Sequence, residues 1–407
     1  MPSAPDRAEI APVWVACRML GLPSEAWLYR QILNFATLRP EVVCWGRQNE
    51  AWHPMGSIPV HVLPFPVSPH DGSARWWYRL RTLPQANFYG SVGAEARYLA
   101  RLARARHPAV ILCHFGHTAL RLLPVARRRS VPLVAHFHGV DISFCLRNPW
   151  YRWSLQQHLR QMAALVVVAD YQREQLISLG ADPRRIHLIP CGVPVQEFAT
   201  AEDVARQPCR FVTVGRLVEK KGPLETLQAF AACVRETPDC ELTIIGDGPL
   251  LAQVEGLARH LGIMERVHLL GNQPSPVVLQ KLRESSVLLQ HSLTSRLGDK
   301  EGWPVSVAEA MATALPVIAT RHAGIAQQVI DCETGYLVEE RDIAAMGRRM
   351  SQVAGDPALR AALGRRGRQV AEASFDQRQQ VRKLELVLKG VVAPVAARAP
   401  VPVTAAA

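Results

Sequence analysis

The chain has no Cys-x-x-Cys pair, although nine cysteines are scattered over its 407 residues. A zinc ribbon or a thioredoxin-type centre needs paired spacing, so both are excluded. The odd, dispersed set reads as reduced core thiols of a cytosolic protein. The chain also lacks any apolar run near the ~20 residues that span a bilayer. Its first residues show no basic stretch leading into a long apolar one, so no secretory leader is expected. A soluble protein follows, at most peripheral at the inner face of a membrane. Charged residues reach only 20%, against 48% hydrophobic, which excludes a disordered chain and supplies enough apolar side chains for packed cores. Acids are the scarcer sign, 35 against 47 basic residues, for a net charge of +12. Anionic partners are favoured, among them nucleotide phosphates and acidic lipid surfaces. No nucleic-acid motif is present, and nucleic acid is not expected as a partner.

What is present is a repeated alternation. FVTVG (211–215), ELTIIG (241–246), VHLLG, SVLLQ, LPVIAT and GYLVEE are short, continuously apolar runs. Segments such as PLETLQAFAACVRE and LLAQVEGLARHLG stand between them with apolar residues at helical spacing. Continuous apolar strands separated by helices imply a parallel sheet covered on both faces. The first half repeats the theme in VWVACRM, EVVCW, HPAVILCHF, PLVAHFH and ALVVVAD, with SEAWLYRQILNFATL and HTALRLLPVARRR as helices. The fold class is α/β, with two Rossmann-like doubly wound domains facing across a cleft, residues 1–195 and 196–375. A helix over 376–390 is expected to pack back towards the first domain. Residues 391–407, rich in Ala, Pro and Val, read as a disordered tail.

The stretch GDKEGWPVSVAEAMATALPV (298–317) joins a loop to a helix. Pro304 suits the first turn, so the helix N-terminus near Val305 and Ser306 points free N–H groups into the cleft, where phosphate is favoured. Glu301 lies before the helix and Glu309 about one turn inside it. Carboxylates beside a phosphate site suit a sugar nucleotide, whose hydroxyls they can accept. Arg216 and Lys221 follow the strand FVTVG, at the strand end where a diphosphate would lie.

These residues carry a resemblance. VGRLVEKKG (214–222), IIGDGPL (244–250), EGWPVSVAEAMA (301–312), LPVIAT (315–320) and TGYLVEERD (334–342) resemble glycosyltransferase family 4, retaining enzymes of the GT-B fold. The resemblance implies Arg216 and Lys221 as the diphosphate pair, Glu301 on the donor sugar and Glu309 on the ribose. Gly215, Asp247, Gly302, Trp303, Pro304, Val305 and Ser306 then complete the donor site. AHFHGVDIS (135–143) is similar to the family's strand-end motif and implies His138 as its active-site histidine. PSEAWLYRQI (23–32) and CHFGHTA (113–119) resemble segments that face the acceptor, implying Ser24, Glu25 and His114 there. On the residues alone, Ser24 and Glu25 would equally cap the helix that follows, and Asp247 would make a turn. The chain departs from the family pattern in having no Gly-Gly loop near Gly21, in Ala314 where a glycine is usual, and in Gln327 where a glutamate is usual.

The implied reaction moves a sugar from a UDP- or GDP-linked donor to a glycan or lipid-linked acceptor in polysaccharide biosynthesis. No cofactor is expected beyond the donor. A metal is not expected, because the two cations face the diphosphate and no Asp-x-Asp stands nearby. The rival readings are a phosphorylase or epimerase on the same fold, and a non-catalytic partner that binds a sugar nucleotide. ARWWYRLRTLP (74–84) and RNPWYRWSL (147–155) mix arginine with aromatics and suit a membrane surface.

Overall fold

The computed structural model describes residues 12–66, 86–198 and 208–392. The aromatic stretch 74–84, the segment 199–207 between the domains and the tail beyond residue 392 lie outside the described residues.

In the first half the strands are β1 (Pro12–Leu20), β2 (Arg39–Arg47), β3 (Val60–Val62), β4 (Val110–His114), β5 (Leu133–Phe137), β6 (Ala164–Val167) and β7 (Ile186–Leu188). They form one parallel sheet in the order β3-β2-β1-β4-β5-β6-β7. Its helices are α1 (Ala26–Leu33), α2 (Gly93–Arg106), α3 (Gly116–Arg128), α4 (Pro149–His158) and α5 (Asp170–Ser178). The second half gives β8 (Arg210–Val214), β9 (Glu241–Ile245), β10 (Val267–Leu269), β11 (Val287–Gln290), β12 (Val317–Thr320) and β13 (Gly335–Val338). These are ordered β10-β9-β8-β11-β12-β13, again all parallel. Around them run α6 (Pro223–Glu236), α7 (Leu251–His260), α8 (Ser275–Glu284), α9 (Val305–Ala312), α10 (Ile325–Gln328), α11 (Ile343–Gly355) and α12 (Pro357–Ser374). Both sheets are doubly wound, and in each the order reverses beside the first strand, where such folds open a crevice at the strand ends.

The last helix, α13 (Gln377–Val391), leaves the second half and packs on the first. Asp376 caps it through the Gln379 N–H. Glu385 Oε1 then accepts the backbone N–H groups of Ala36, Thr37 and Leu38 at 3.1, 2.6 and 2.9 Å. This explains why α1 stops at Leu33 although apolar residues continue to Leu38: the later amides turn to Glu385 instead of the helix ladder. Val193 pairs with Phe375 and Gln377 through two backbone hydrogen bonds, 2.8 and 2.9 Å, which close the seam. A single buried apolar cluster runs from Val13 and Leu112 through Val307 to Leu384 and Leu388. All nine cysteines are free and seven are buried. No helix of the described residues is long and apolar enough to cross a membrane.

Candidate functional site

Strand ends of the two sheets face each other across a cavity of about 1210 Å³. On the first sheet two sharp exits shape it. Phe115, after β4, has φ 71°, and Gly139, after β5, has φ 136°. Asp141 fastens both: its Oδ1 accepts from the N–H groups of His138 and Gly139 at 3.0 and 3.1 Å, and its Oδ2 from Gly116 N–H at 2.9 Å. Burial pushes the Asp141 carboxyl up, and those three N–H donors together with its own N–H offset only part of the rise. The His138 ring packs on Trp27, with centroids 4.2 Å apart. His138 Nε2 meets His114 Nδ1 at 3.0 Å and its Nδ1 lies 3.8 Å from Cys191 Sγ. Burial, with His136 and His114 adding to it, drives the His138 pKa well below the ordinary histidine value, so the ring is neutral at pH 7.

On the second sheet the chain leaves β8 at Gly215 and turns through Glu219–Lys221 to Gly222. Gly222 has φ 55°, and a Cβ there would lie 2.0 Å from the His291 carbonyl oxygen, so only glycine fits this close turn. The turn delivers Lys221 Nζ to Glu301 Oε2 at 3.1 Å. Lys220 Nζ sits 3.1 Å from Asp299 Oδ2 and 3.7 Å from Glu301 Oε1. Burial pushes the Glu301 carboxyl up, but Lys221 and Lys220 outweigh it and hold the group at about 2. Lys221 is itself lowered, because burial and the neighbouring Lys220 prevail over its attraction to Glu301. One carboxylate is shared by two ammonium groups, so the acid gains from both while the lysines repel each other. Glu301 Oε1 is buried and makes no hydrogen bond, with the Lys220 ammonium 3.7 Å away.

The Glu301 loop is anchored from both halves of the molecule. Its backbone N–H donates to His322 Nε2 at 3.1 Å, and His322 Nδ1 reaches Glu340 Oε1 at 2.6 Å. From the first half, the Tyr171 hydroxyl donates to the Glu301 carbonyl at 2.8 Å. Gly302 passes so close to the His138 carbonyl oxygen that a Cβ would lie 1.8 Å from it. Pro304, with φ −66°, then starts α9 and leaves the first N–H groups of the helix facing the cavity.

Of the expected site residues, all but His114 and Asp247 line this one cavity. His114 is fully buried, lies outside the cavity lining, and meets the His138 ring that does line it, Nδ1 to Nε2 at 3.0 Å. Asp247 is exposed outside the cavity and accepts from the Gly248 N–H at 2.6 Å, while Gly246 lines the cavity. Ser24 and Glu25 cap no helix: a short 3-10 turn over Pro23–Glu25 turns both towards the cavity. Burial raises Glu25 from 4.5 to about 7 against the pull of Arg18 and Arg216. Gln327 bridges to Asp170 of the first half, accepting from its N–H at 3.0 Å and donating to its carboxylate. A glutamate there would set two carboxylates together, which accounts for the departure from the usual residue.

Sequence reasoning passed over Asp141, Trp27 and Arg30. Asp141 had a signal, since it stands three residues after His138 in AHFHGVDIS; Arg30 had none, because its partner Glu309 is 279 residues away. Arg147 and Trp150 of the second aromatic stretch line the cavity mouth. For a metal, one group among the described residues has ligating atoms close enough, His114, His136 and His138 within 4.8 Å of one another. Two of those nitrogens already face each other in the His114–His138 contact.

Comparison with known proteins bears on this geometry. The model described as Glycosyltransferase Family 4 matches residues 50–197, and that described as Glycosyl transferases group 1 matches residues 197–370. The amylovoran biosynthesis glycosyltransferase AmsK of Erwinia amylovora is 30% identical over 74% of this chain and 75% of its own. The GDP-mannose-dependent alpha-(1-6)-phosphatidylinositol monomannoside mannosyltransferase of Mycolicibacterium smegmatis is 29% identical over 68% of this chain and 75% of its own. Anabaena HepE, solved in complex with UDP-glucose, superposes with a TM-score of 0.76 at 17% identity, over 93% of this chain and all of its own. Two consecutive family models and a relative aligned over three quarters of both chains lead to one conclusion: the chain belongs to glycosyltransferase family 4 and is a glycosyltransferase of the GT-B fold.

Proposed function

We propose that the protein transfers a sugar from a nucleoside-diphosphate sugar to a hydroxyl of a glycan or lipid-linked acceptor, with retention at the anomeric carbon, in polysaccharide biosynthesis. The observation that carries this reading is the Lys221–Glu301 pair at 3.1 Å, set in one cleft with Arg216 and the N-terminus of α9. Arg216, Lys221 and the helix N–H groups suit a diphosphate. Glu301, ionised and with Oε1 free of hydrogen bonds, suits a hydroxyl of the donor sugar. Glu309 suits the ribose, and the neutral ring of His138 suits the sugar's hydroxymethyl group as a hydrogen-bond partner. The bond from the anomeric carbon to the phosphate oxygen breaks while the acceptor oxygen attacks from the same face. The acceptor proton passes to the departing phosphate oxygen. Stabilisation is then mainly electrostatic, by fixed cations and N–H dipoles aimed at the charge that develops on the diphosphate.

UDP-glucose in HepE and GDP-mannose in the mycobacterial relative support a UDP- or GDP-linked donor. The name of AmsK supports the polysaccharide setting. We place the acceptor on the 1–195 side, near Ser24 and Glu25, and the donor on the 196–375 side. With three cations close to the diphosphate seat, Lys220 included, the reaction needs no metal. Trp150 and Trp153, 43% and 38% exposed beside the cleft, suit peripheral docking if the acceptor is lipid-linked.

The test is turnover of UDP- and GDP-sugars by purified protein. Lys221→Ala and Arg216→Ala should each lower kcat roughly 100-fold or more. Asp247→Ala, outside the cavity, should remain near wild type. Full activity in Lys221→Ala would sink the reading, and an inverted product would sink its stereochemistry.

A further inference from the structure

Glu309, the carboxylate assigned to the ribose, is already held from the opposite half of the molecule. Arg30 Nη1 on α1 donates to its Oε1 at 2.6 Å, and the two side chains are 14% and 9% exposed. The helix that carries Arg30 is itself fixed: the Arg30 carbonyl accepts from Gln377 Nε2 of α13 at 2.7 Å and from Asn34 Nδ2 at 2.9 Å. The guanidinium also lies 5.6 Å from the centroid of the Phe198 ring, so its own rotamer is confined. A glutamate on a helix facing a cavity would otherwise turn among several rotamers.

We propose that Arg30 is a positioning residue for the donor: it fixes the Glu309 carboxylate through Oε1, so that Oε2 meets the ribose hydroxyls. The inference rests on the reading of the cleft as a nucleotide-sugar site. It adds that the donor seat, built on the second sheet, is completed only by a side chain of the first. Without Arg30 the carboxylate would stand nearly buried and unpaired beside a diphosphate seat, which favours its withdrawal from that position. Nucleotide binding therefore depends on the two halves being in register. The hold is a single charge-assisted hydrogen bond, Nη1 to Oε1, and the shorter, more mobile reach of a lysine would keep the charge but not that fixed donor position.

The experiment is calorimetric titration of the full-length protein with UDP, GDP and dUDP, for wild type, Arg30→Met, Arg30→Lys, Glu309→Gln and Arg30→Met/Glu309→Gln. Arg30→Met should weaken the preferred nucleotide about 10- to 100-fold, with Arg30→Lys in between. The double variant should bind no worse than Glu309→Gln alone, since Arg30 acts through Glu309. If UDP is preferred, the penalty for dUDP should shrink in Arg30→Met. In turnover the donor KM should rise while the acceptor KM stays level. Arg30→Met binding as tightly as wild type, or tighter, overturns the proposal, as does a double variant in which the two losses add. Should Arg30→Met not fold, as judged by its melting curve, Arg30→Lys decides: wild-type affinity and an undiminished UDP preference over dUDP overturn it. If wild type binds neither UDP nor GDP, the nucleotide-sugar reading itself falls and this inference with it; wild-type binding with unaffected variants removes only the role of Arg30.

Discussion

A carboxyl in the cleft titrates near neutrality, and its neighbours say why. Glu25 sits between the sheets with Arg18 and Arg216 as its nearest cations, yet burial dominates and takes it from 4.5 to about 7. Its proton is held more tightly in the fold than in the unfolded chain. Between about pH 4.5 and 7 the folded state therefore binds more protons, and stability falls as pH rises through that window. Glu25→Gln should remove this loss and raise stability at pH 8 by on the order of 1 kcal/mol, after allowance for its partial exposure; melting curves at pH 5 and 8 read it directly. If the ionised form contacts the acceptor hydroxyl, kcat/KM should rise through pH 7 in wild type and be flat there in Glu25→Gln. Glu301 contrasts with it. It is more fully shut away from water but sits against two lysines, so it stays ionised throughout this range.

At the scale of elements, helix ends carry much of the architecture. Ala314 follows α9 with φ 61°, a left-handed conformation that penalises any side chain. A glycine, which the family resemblance leads one to expect at this position, would carry no such penalty. Ala314→Gly should stabilise the protein by about 0.5–1 kcal/mol, as the relief of strain exceeds the added chain entropy; chemical denaturation would show a higher midpoint with an unchanged slope. The seam made by α13 makes a larger claim. Glu385→Ala would leave the amides of Ala36, Thr37 and Leu38 without their acceptor and should cost about 3 kcal/mol. Hydrogen exchange at those three amides should speed up with it; unchanged protection would show that α13 does not hold them. The long strands and amphipathic helices were legible from periodicity, but β3 and β7 were not. Each has three residues and pairs at a sheet edge; β10 is as short and as peripheral, and was legible because its apolar run VHLLG continues past the strand to a glycine.

Across the whole molecule, the two halves share one buried cluster, α13 crosses between them, and Arg30 bridges to Glu309. Such coupling predicts one cooperative thermal transition rather than two. UDP or GDP at 100 times its Kd should raise Tm by about 3 °C, from roughly 2.7 kcal/mol of linkage spread over a chain of this size. Two separate transitions, with only one shifted by nucleotide, would show halves that are independent. The net charge of +12 adds that nucleotide affinity should weaken with salt, since cations around the diphosphate seat set much of the attraction.

The order of motifs along the chain was sufficient for the class of fold, and it singled out Arg216, Lys221, Glu301 and Glu309, which the fold brings to one cavity. Such features are local: strand, turn and helix start are written in neighbouring residues. Which side chains meet across the cleft was not local. The staple made by Asp141, the burial of His114 against His138, the Arg30 hold on Glu309 and the near-neutral titration of Glu25 all depend on residues distant in sequence and on exclusion of water. Burial and long-range pairing arise only when both sheets are packed together, so the tertiary structure alone decided them.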